Sequence, residues 1–242
     1  MKDFFKNVLA TVVGIILTFV IMGIFGIMGI IGMVASTEQS KNVEDNSVLV
    51  LNMTGTLSER AESNPFSDIM GKVAKSNGLD DILKAIEKAK DNDKIKGIYI
   101  EAGLFSPDSY ASLQAIRRAL SDFKKSGKWI VAYGDSYTQG VYYLASVADK
   151  LYINPQGQID WHGIAAERMY MKDLMAKFGV KMQVTKVGTY KSATEQFTND
   201  KMSDADREQT TAIINGVWKN VVNEVAASRK LTAAKLNSYA DS

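Results

Sequence analysis

Between Lys6 and Glu38 the chain carries no charged residue, and Asn7 to Thr37 is mostly Val, Ile, Leu, Met, Phe and Gly. A bilayer core about 30 Å thick needs roughly 20 helical residues, whereas the apolar part of a signal peptide has only about 7–15. The stretch therefore predicts one uncleaved transmembrane helix. Lys2 and Lys6 precede it, and the positive-inside bias places them in the cytoplasm and everything after Glu38 on the other side. Its repeated glycines, Gly14, Gly23, Gly26, Gly29 and Gly32, offer a helix-packing face or plain lipid-facing filler. The second reading is favoured, because the close-packing motif spaces glycines four apart.

Beyond the apolar stretch the pattern changes period. Residues 1–36 form the expected cytoplasmic N-terminus and anchor, 37–47 a polar tether, and 48–242 a globular domain. Four short runs of β-formers, Val48 to Leu51, Lys96 to Ile100, Trp129 to Tyr133 and Leu151 to Ile153, read as strands. Leu79, Ile82, Leu83, Ile86 and Ala89 mark an amphipathic helix between the first two. Leu113, Ile116, Leu120 and Phe123 mark another, which Ser126-Gly127 should stop. Strands alternating with helices at this spacing imply a parallel sheet with crossovers, so the fold class is α/β.

Further along, Gln139 to Val147 suits a buried helix, and Tyr170, Leu174 and Phe178 line another that Gly179 can end. Met182, Val184 and Lys186 alternate with Gln183, Thr185 and Val187, which predicts a strand. Ser203 and Asp206 resemble a capping box, with Asp in the usual Glu position. They open a long helix carrying Ile214, Val217, Trp218, Val221 and Val225 on one face, and Thr232 can cap a further helix that has scarcely begun at Ser242.

Composition narrows the chemistry. The chain of 242 residues has one His and no Cys, with Lys+Arg 29 against Asp+Glu 27. Thiolate metal sites, disulfides and a catalytic cysteine are excluded, as are multi-histidine metal centres. A formal net charge of +2 leaves no basic surplus for phosphate backbones, so no nucleic-acid partner is expected. No glycine-rich phosphate loop and no recognisable spacing of paired carboxylates occurs. The single histidine, His162, sits in a turn-like segment and reads as a hydrogen-bonded or solvated residue.

One lysine stands apart by context. In Val187-Gly188-Thr189-Tyr190-Lys191-Ser192-Ala193, Lys191 follows the predicted strand through a glycine turn and is flanked by hydroxyls. A lysine is ordinarily protonated at neutral pH, so it acts as a base only where its surroundings favour the neutral amine. Held inward, with Thr189 and Ser192 steering it, Lys191 could do so. Spacing alone favours a surface lysine paired with Glu195, four residues later.

Several segments, in order, resemble the signal peptide peptidase A (protease IV) family, in its long tandem-domain form from bacterial inner membranes. They are the N-terminal anchor, the strand ending Thr54-Gly55, the run Tyr133-Gly134-Asp135-Ser136-Tyr137-Thr138-Gln139-Gly140-Val141-Tyr142-Tyr143-Leu144-Ala145, the turn Asn154-Pro155-Gln156-Gly157, and Gly188-Thr189-Tyr190-Lys191-Ser192-Ala193. The resemblance implies a ClpP/crotonase-like fold of repeated ββα units and a serine endopeptidase with a Ser-Lys dyad that degrades cleaved signal peptides. It makes Lys191 the general base, which accepts and donates the proton, with Thr189, Tyr190 and Ser192 in support. It places Gln139 where short family members carry the nucleophilic serine, so the serine would come from a C-terminal half. Ser136 and Thr138 are offset from that position.

The same resemblance implies an extracytoplasmic (periplasmic) catalytic domain on a single-pass anchor, a homo-oligomer, apolar peptide substrates, and no metal or organic cofactor. Two other readings stay open: a crotonase-like acyl-CoA enzyme and an inactive membrane-anchored scaffold. Fold alone does not choose among them.

Overall fold

The structure is a computed structural model and describes residues 2–37, 43–60 and 76–241. It divides into two units, Met1–Glu44 and Asp45–Ser242. Residues 38–42, in the middle of the expected tether, lie outside the described residues.

The first unit is one helix, α1 (Lys2–Thr37). Its stretch Asp3–Gly29 is 27 residues long with a mean hydropathy of 2.8, long and apolar enough to cross a membrane. Thr11 and Thr18 donate their hydroxyls to the carbonyls of Asn7 and Gly14, one turn back. Their polar atoms are thus satisfied within the helix, as a lipid environment requires.

The second unit is built on five parallel strands. These are β1 (Ser47–Ser58), β2 (Ser76–Gly78), β3 (Ile95–Ser106), β4 (Trp129–Gly134) and β5 (Lys150–Ile153), in the order β2-β1-β3-β4-β5. The crossovers are α2 (Leu79–Asp91) from β2 to β3, α3 (Tyr110–Lys124) from β3 to β4, and α4 (Gln139–Ala145) from β4 to β5. The four strands and the first two helices expected from periodicity are all present. Gly127, at φ +82°, follows the end of α3.

The ββα repetition is complete at β1-β2-α2. In the turn of the fold that follows β4, its second strand shrinks to one parallel bridge, Tyr137 with Ile159, just before α4.

Alternation divides each strand between two faces. Leu51, Met53 and Leu57 of β1, Ile98 and Ile100 of β3, and Ile130 and Ala132 of β4 are buried, as are Ile86 of α2, Leu113, Ile116, Leu120 and Phe123 of α3, and Val141 and Leu144 of α4. Burying such side chains stabilises by about 1.5–3 kcal/mol each relative to exposure. The alternate positions Val48, Val50, Trp129, Tyr133 and Tyr152 are exposed. Trp129 lies against Gly97 on that side, where an added Cβ would fall 2.3 Å from its ring, so only glycine fits there.

After β5 come α5 (Lys172–Lys177), α6 (Glu195–Thr198), α7 (Asp204–Arg229) and α8 (Ala233–Ala240). A buried cation holds α7 to the earlier helices. Arg117 of α3 pairs through Nε with Glu224 at 3.1 Å, donates to Ser146 Oγ at 2.8 Å and to the Tyr143 carbonyl, and reaches the Glu224 carbonyl and Ser228 Oγ. Burial pulls the guanidinium below its ordinary pKa, and Tyr143 and Glu224 oppose that pull.

Three expectations are corrected. Met182 to Val187 alternate as predicted but form no strand, because a strand exists only through its ladder and the described residues supply no neighbour there. The helix expected around Tyr170 to Phe178 is present as α5, but Leu174 and Phe178 are exposed rather than core-facing. Along α7 the apolar face is buried only at its C-terminal half, at Val221, Val222, Val225 and Ala226.

Candidate active site

Lys191 sits in the irregular segment between residue 181 and α6. Gly188, at φ +97°, turns the chain just before it, a backbone state that costs glycine nothing. The lysine side chain is exposed, as its spacing favoured, and is not held inward. It opens onto a cleft of about 680 Å³ whose wall includes Arg168, Met169, Val184, Ser192, Thr194 and Ile213. Lys191 makes no hydrogen bond or ion pair among the described residues.

The flanking hydroxyl residues have separate roles. Tyr190 donates its hydroxyl to Glu208 of α7 at 3.1 Å, and that bond raises its phenol above the usual pKa. Ser192 lines the cleft, and its carbonyl accepts from the backbone N–H of Glu195 at 2.9 Å. Thr189 is exposed.

The expected pair between Lys191 and Glu195 does not form. Glu195 is buried, 2% exposed, and accepts from the Ser203 backbone N–H at 3.2 Å and the Ser203 hydroxyl at 2.9 Å, with Lys186 Nζ 3.6 Å away. This also corrects the capping box. Ser203 caps α7 by accepting from the Asp206 N–H at 3.2 Å, but its own N–H is satisfied by Glu195. The Asp206 carboxylate turns elsewhere. Fully buried, it takes a hydrogen bond from Arg168 at 2.7 Å and so ties the cleft wall to α7.

Gln139, which the resemblance sets at the nucleophile position, is buried at the start of α4 and does not line the Lys191 cleft. Its amide donates to the Tyr110 hydroxyl at 2.8 Å and the Gly163 carbonyl at 2.9 Å. Its oxygen accepts from the backbone N–H groups of His162 at 3.1 Å and Gly163 at 2.9 Å. A side chain with two donors and two lone pairs is thereby fully occupied. Thr138 caps α4 through the Val141 N–H, Ser136 is exposed, and neither lines the cleft. His162 is an exposed loop residue 3.3 Å from Asp160.

Two of the recognised segments meet away from the lysine. Asp135 accepts from Asn154 and from the Tyr133 hydroxyl, both at 3.0 Å, and these bonds lower its carboxyl pKa. Gly157 turns so tightly against the Asp135 carbonyl that a Cβ would fall 1.7 Å from it. Among the described residues no His/Cys/Asp/Glu cluster could hold a metal ion.

Sequence reasoning missed the roles of Glu195, Arg168 and Asp206. A buried acid inside a polar motif leaves no periodic trace. The signal that was present is Ser203 followed by Asp206, which located the helix start but not the distant carboxylate completing it.

Comparison with known proteins supplies what geometry does not. The sequence pattern described as peptidase family S49 matches residues 122–242. The chain is 38% identical over 196 residues to "Protease 4" of Salmonella typhi, covering 78% of this chain and 32% of that protein. It is 34% identical over 200 residues to "Protease 4" of Haemophilus influenzae, with coverage of 80% and 32%. It is 25% identical over 186 residues to "Serine protease SPPA, chloroplastic" of Arabidopsis thaliana, with coverage of 77% and 26%. The chain thus spans about a third of the length of the first two of these relatives. Among solved structures, an enoyl-CoA hydrotase/isomerase family protein from Silicibacter pomeroyi aligns over 81% of this chain and 94% of that one, at 13% identity and a TM-score of 0.34. That similarity is too low to bear on the reaction.

Proposed function

We propose that this chain, which belongs to peptidase family S49, is the membrane-anchored, base-supplying part of a serine endopeptidase that degrades cleaved signal peptides. Lys191 is the general base of a Ser-Lys dyad, supported by Thr189, Tyr190 and Ser192. The serine comes from the C-terminal half of a longer protein, in keeping with relatives three times the length of the matched region. The observation that carries this reading is that Lys191 stands at an open cleft with no partner among the described residues.

The reaction is acyl transfer. The serine hydroxyl attacks a peptide carbonyl while the neutral Lys191 amine takes its proton; the amine leaving group departs with a proton from the lysine, and water then resolves the acyl-enzyme. Lys191 is open to solvent here, so the apolar surroundings that favour a neutral amine come from the serine-bearing half and the substrate closing over the cleft. No metal or organic cofactor enters this scheme.

The apolar helix α1 supports the substrate and the location in this reading. Cleaved signal peptides stay in the bilayer as apolar segments, and a protease tethered to that bilayer meets them at high effective concentration. Lys2 and Lys6 orient the helix so that residues 48–242 face the periplasm from the inner membrane. The assembly is a homo-oligomer. An inactive anchored scaffold is the reading that Gln139 favours if no serine joins Lys191.

The test uses the full-length protein. Lys191→Met removes the base and Lys191→Arg keeps only a charge that does not titrate usefully, so both should abolish cleavage of a signal-peptide substrate. Lys177→Met, on exposed α5, should leave it unchanged. Wild-type turnover by Lys191→Met would end the Ser-Lys reading.

A further inference from the structure

The carboxylate that spacing assigns to Lys191 is held by a different lysine. Residues 192–195 form a turn, closed by the Glu195 N–H on the Ser192 carbonyl, and α6 begins only at Glu195. The continuous helix that would bring residues 191 and 195 together is therefore absent. Glu195 instead points into the protein to Ser203, with Lys186 as its counter-charge at 3.6 Å.

We propose that Glu195 and Lys186 are positioning residues for Lys191. Glu195 pins the loop that carries the base, and Lys186 neutralises that carboxylate so that it does not turn to Lys191 and hold its amine protonated. The proposal rests on the reading of Lys191 as general base.

A buried carboxylate without a nearby cation is costly, and two lysines flank the Gly188 turn within reach in sequence. The turn sends Lys186 to Glu195 and leaves Lys191 at the cleft. With Lys186 removed, Glu195 keeps only its Ser203 donors and draws the remaining cation, and a carboxylate beside an amine favours its protonated form. The other charged groups about the cleft do not take that place. Arg168 is committed to Asp206, Glu208 accepts from Tyr190, and Glu167 makes no pair with Lys191.

The experiment measures kcat/KM against pH for a peptide ester with full-length protein. Lys186→Met should lower kcat/KM about tenfold at neutral pH, with recovery as pH is raised. Lys186→Arg should keep the wild-type profile. The double variant Lys186→Met with Glu195→Gln, which removes both charges and keeps the shape, should regain neutral-pH activity. A merely structural role would lower activity equally at every pH and would not be rescued by the second change. A Lys186→Met profile superimposing on wild type, or a uniform loss that the double variant does not relieve, overturns the proposal. Lys191→Met separates the two levels: if it still turns over, the base reading fails, whereas if it is inactive and Lys186→Met is unchanged, the positioning role alone fails.

Discussion

Gln139 and Gly163 are joined in both directions: the side-chain amide donates to the Gly163 carbonyl at 2.9 Å while its oxygen accepts from the Gly163 N–H, also at 2.9 Å. The Gln139 side chain is thus a clasp between the start of α4 and the loop after β5. Gln139→Ala should strand these groups, the His162 N–H and the Tyr110 hydroxyl, lowering unfolding free energy by about 2–4 kcal/mol. Chemical denaturation measures it; a change within experimental error would show that water replaces the clasp.

The chain of residues 1–242 should be catalytically silent by itself. On the proposed function its Lys191 awaits a serine from the C-terminal half, and the Gln139 amide cannot form an acyl-enzyme. Purified chain should neither cleave peptide esters nor label with a serine-reactive phosphonate. Mass-spectrometric labelling at Ser136 would relocate the active site.

Stability should decline at high pH through Tyr137. Burial pushes its phenol up to about 12, and the hydroxyl donates to the Tyr152 carbonyl at 2.9 Å. An unfolded tyrosine ionises near 10, so the folded state keeps this proton longer. The stabilisation is fully present below about pH 10 and is lost as pH rises toward about 12. Tyr137→Phe should start less stable, for want of one hydrogen bond, and then fall less steeply. Burial and Glu224 also raise Tyr143, so some slope should remain. Parallel curves for the two proteins would refute the assignment.

Topology can be read in living cells. A reporter that fluoresces only in the cytoplasm, fused after Ser242, should stay dark. Bright, membrane-inserted fusions would reverse the orientation inferred from Lys2 and Lys6.

β1, β3, β4 and β5 were legible as short runs of β-formers, and α2 and α3 because their burial follows local periodicity: Leu113, Ile116, Leu120 and Phe123 appear in the sequence as the stripe they form in the core. The three-residue β2 is too short to leave such a pattern. The Lys191 region was not legible in that way. Its alternation from Met182 to Val187 lacks a pairing neighbour among the described residues, and the exposed Leu174 and Phe178 carry a helical period with nothing packed on it. The candidate base came from a motif, and its surroundings came from tertiary contacts that spacing misassigned. Ser203 predicted a cap, but its reciprocal partner was Glu195, eight residues upstream. Gln139 could be excluded as a nucleophile from its side chain alone, whereas three of its four hydrogen bonds depend on a loop more than twenty residues away and the fourth on Tyr110 of α3.

Of the three tryptophans in the chain, two stand at the seat of α8. Trp161 and Trp218 lie ring to ring at 5.0 Å, Trp161 donates to the Leu236 carbonyl, and Trp218 donates to Asn237, each at 2.9 Å. The molecule thus carries its own optical gauge of that last helix. Displacing α8 would wet both indoles at once and redden their emission, while Trp129 on the sheet stays as the internal reference.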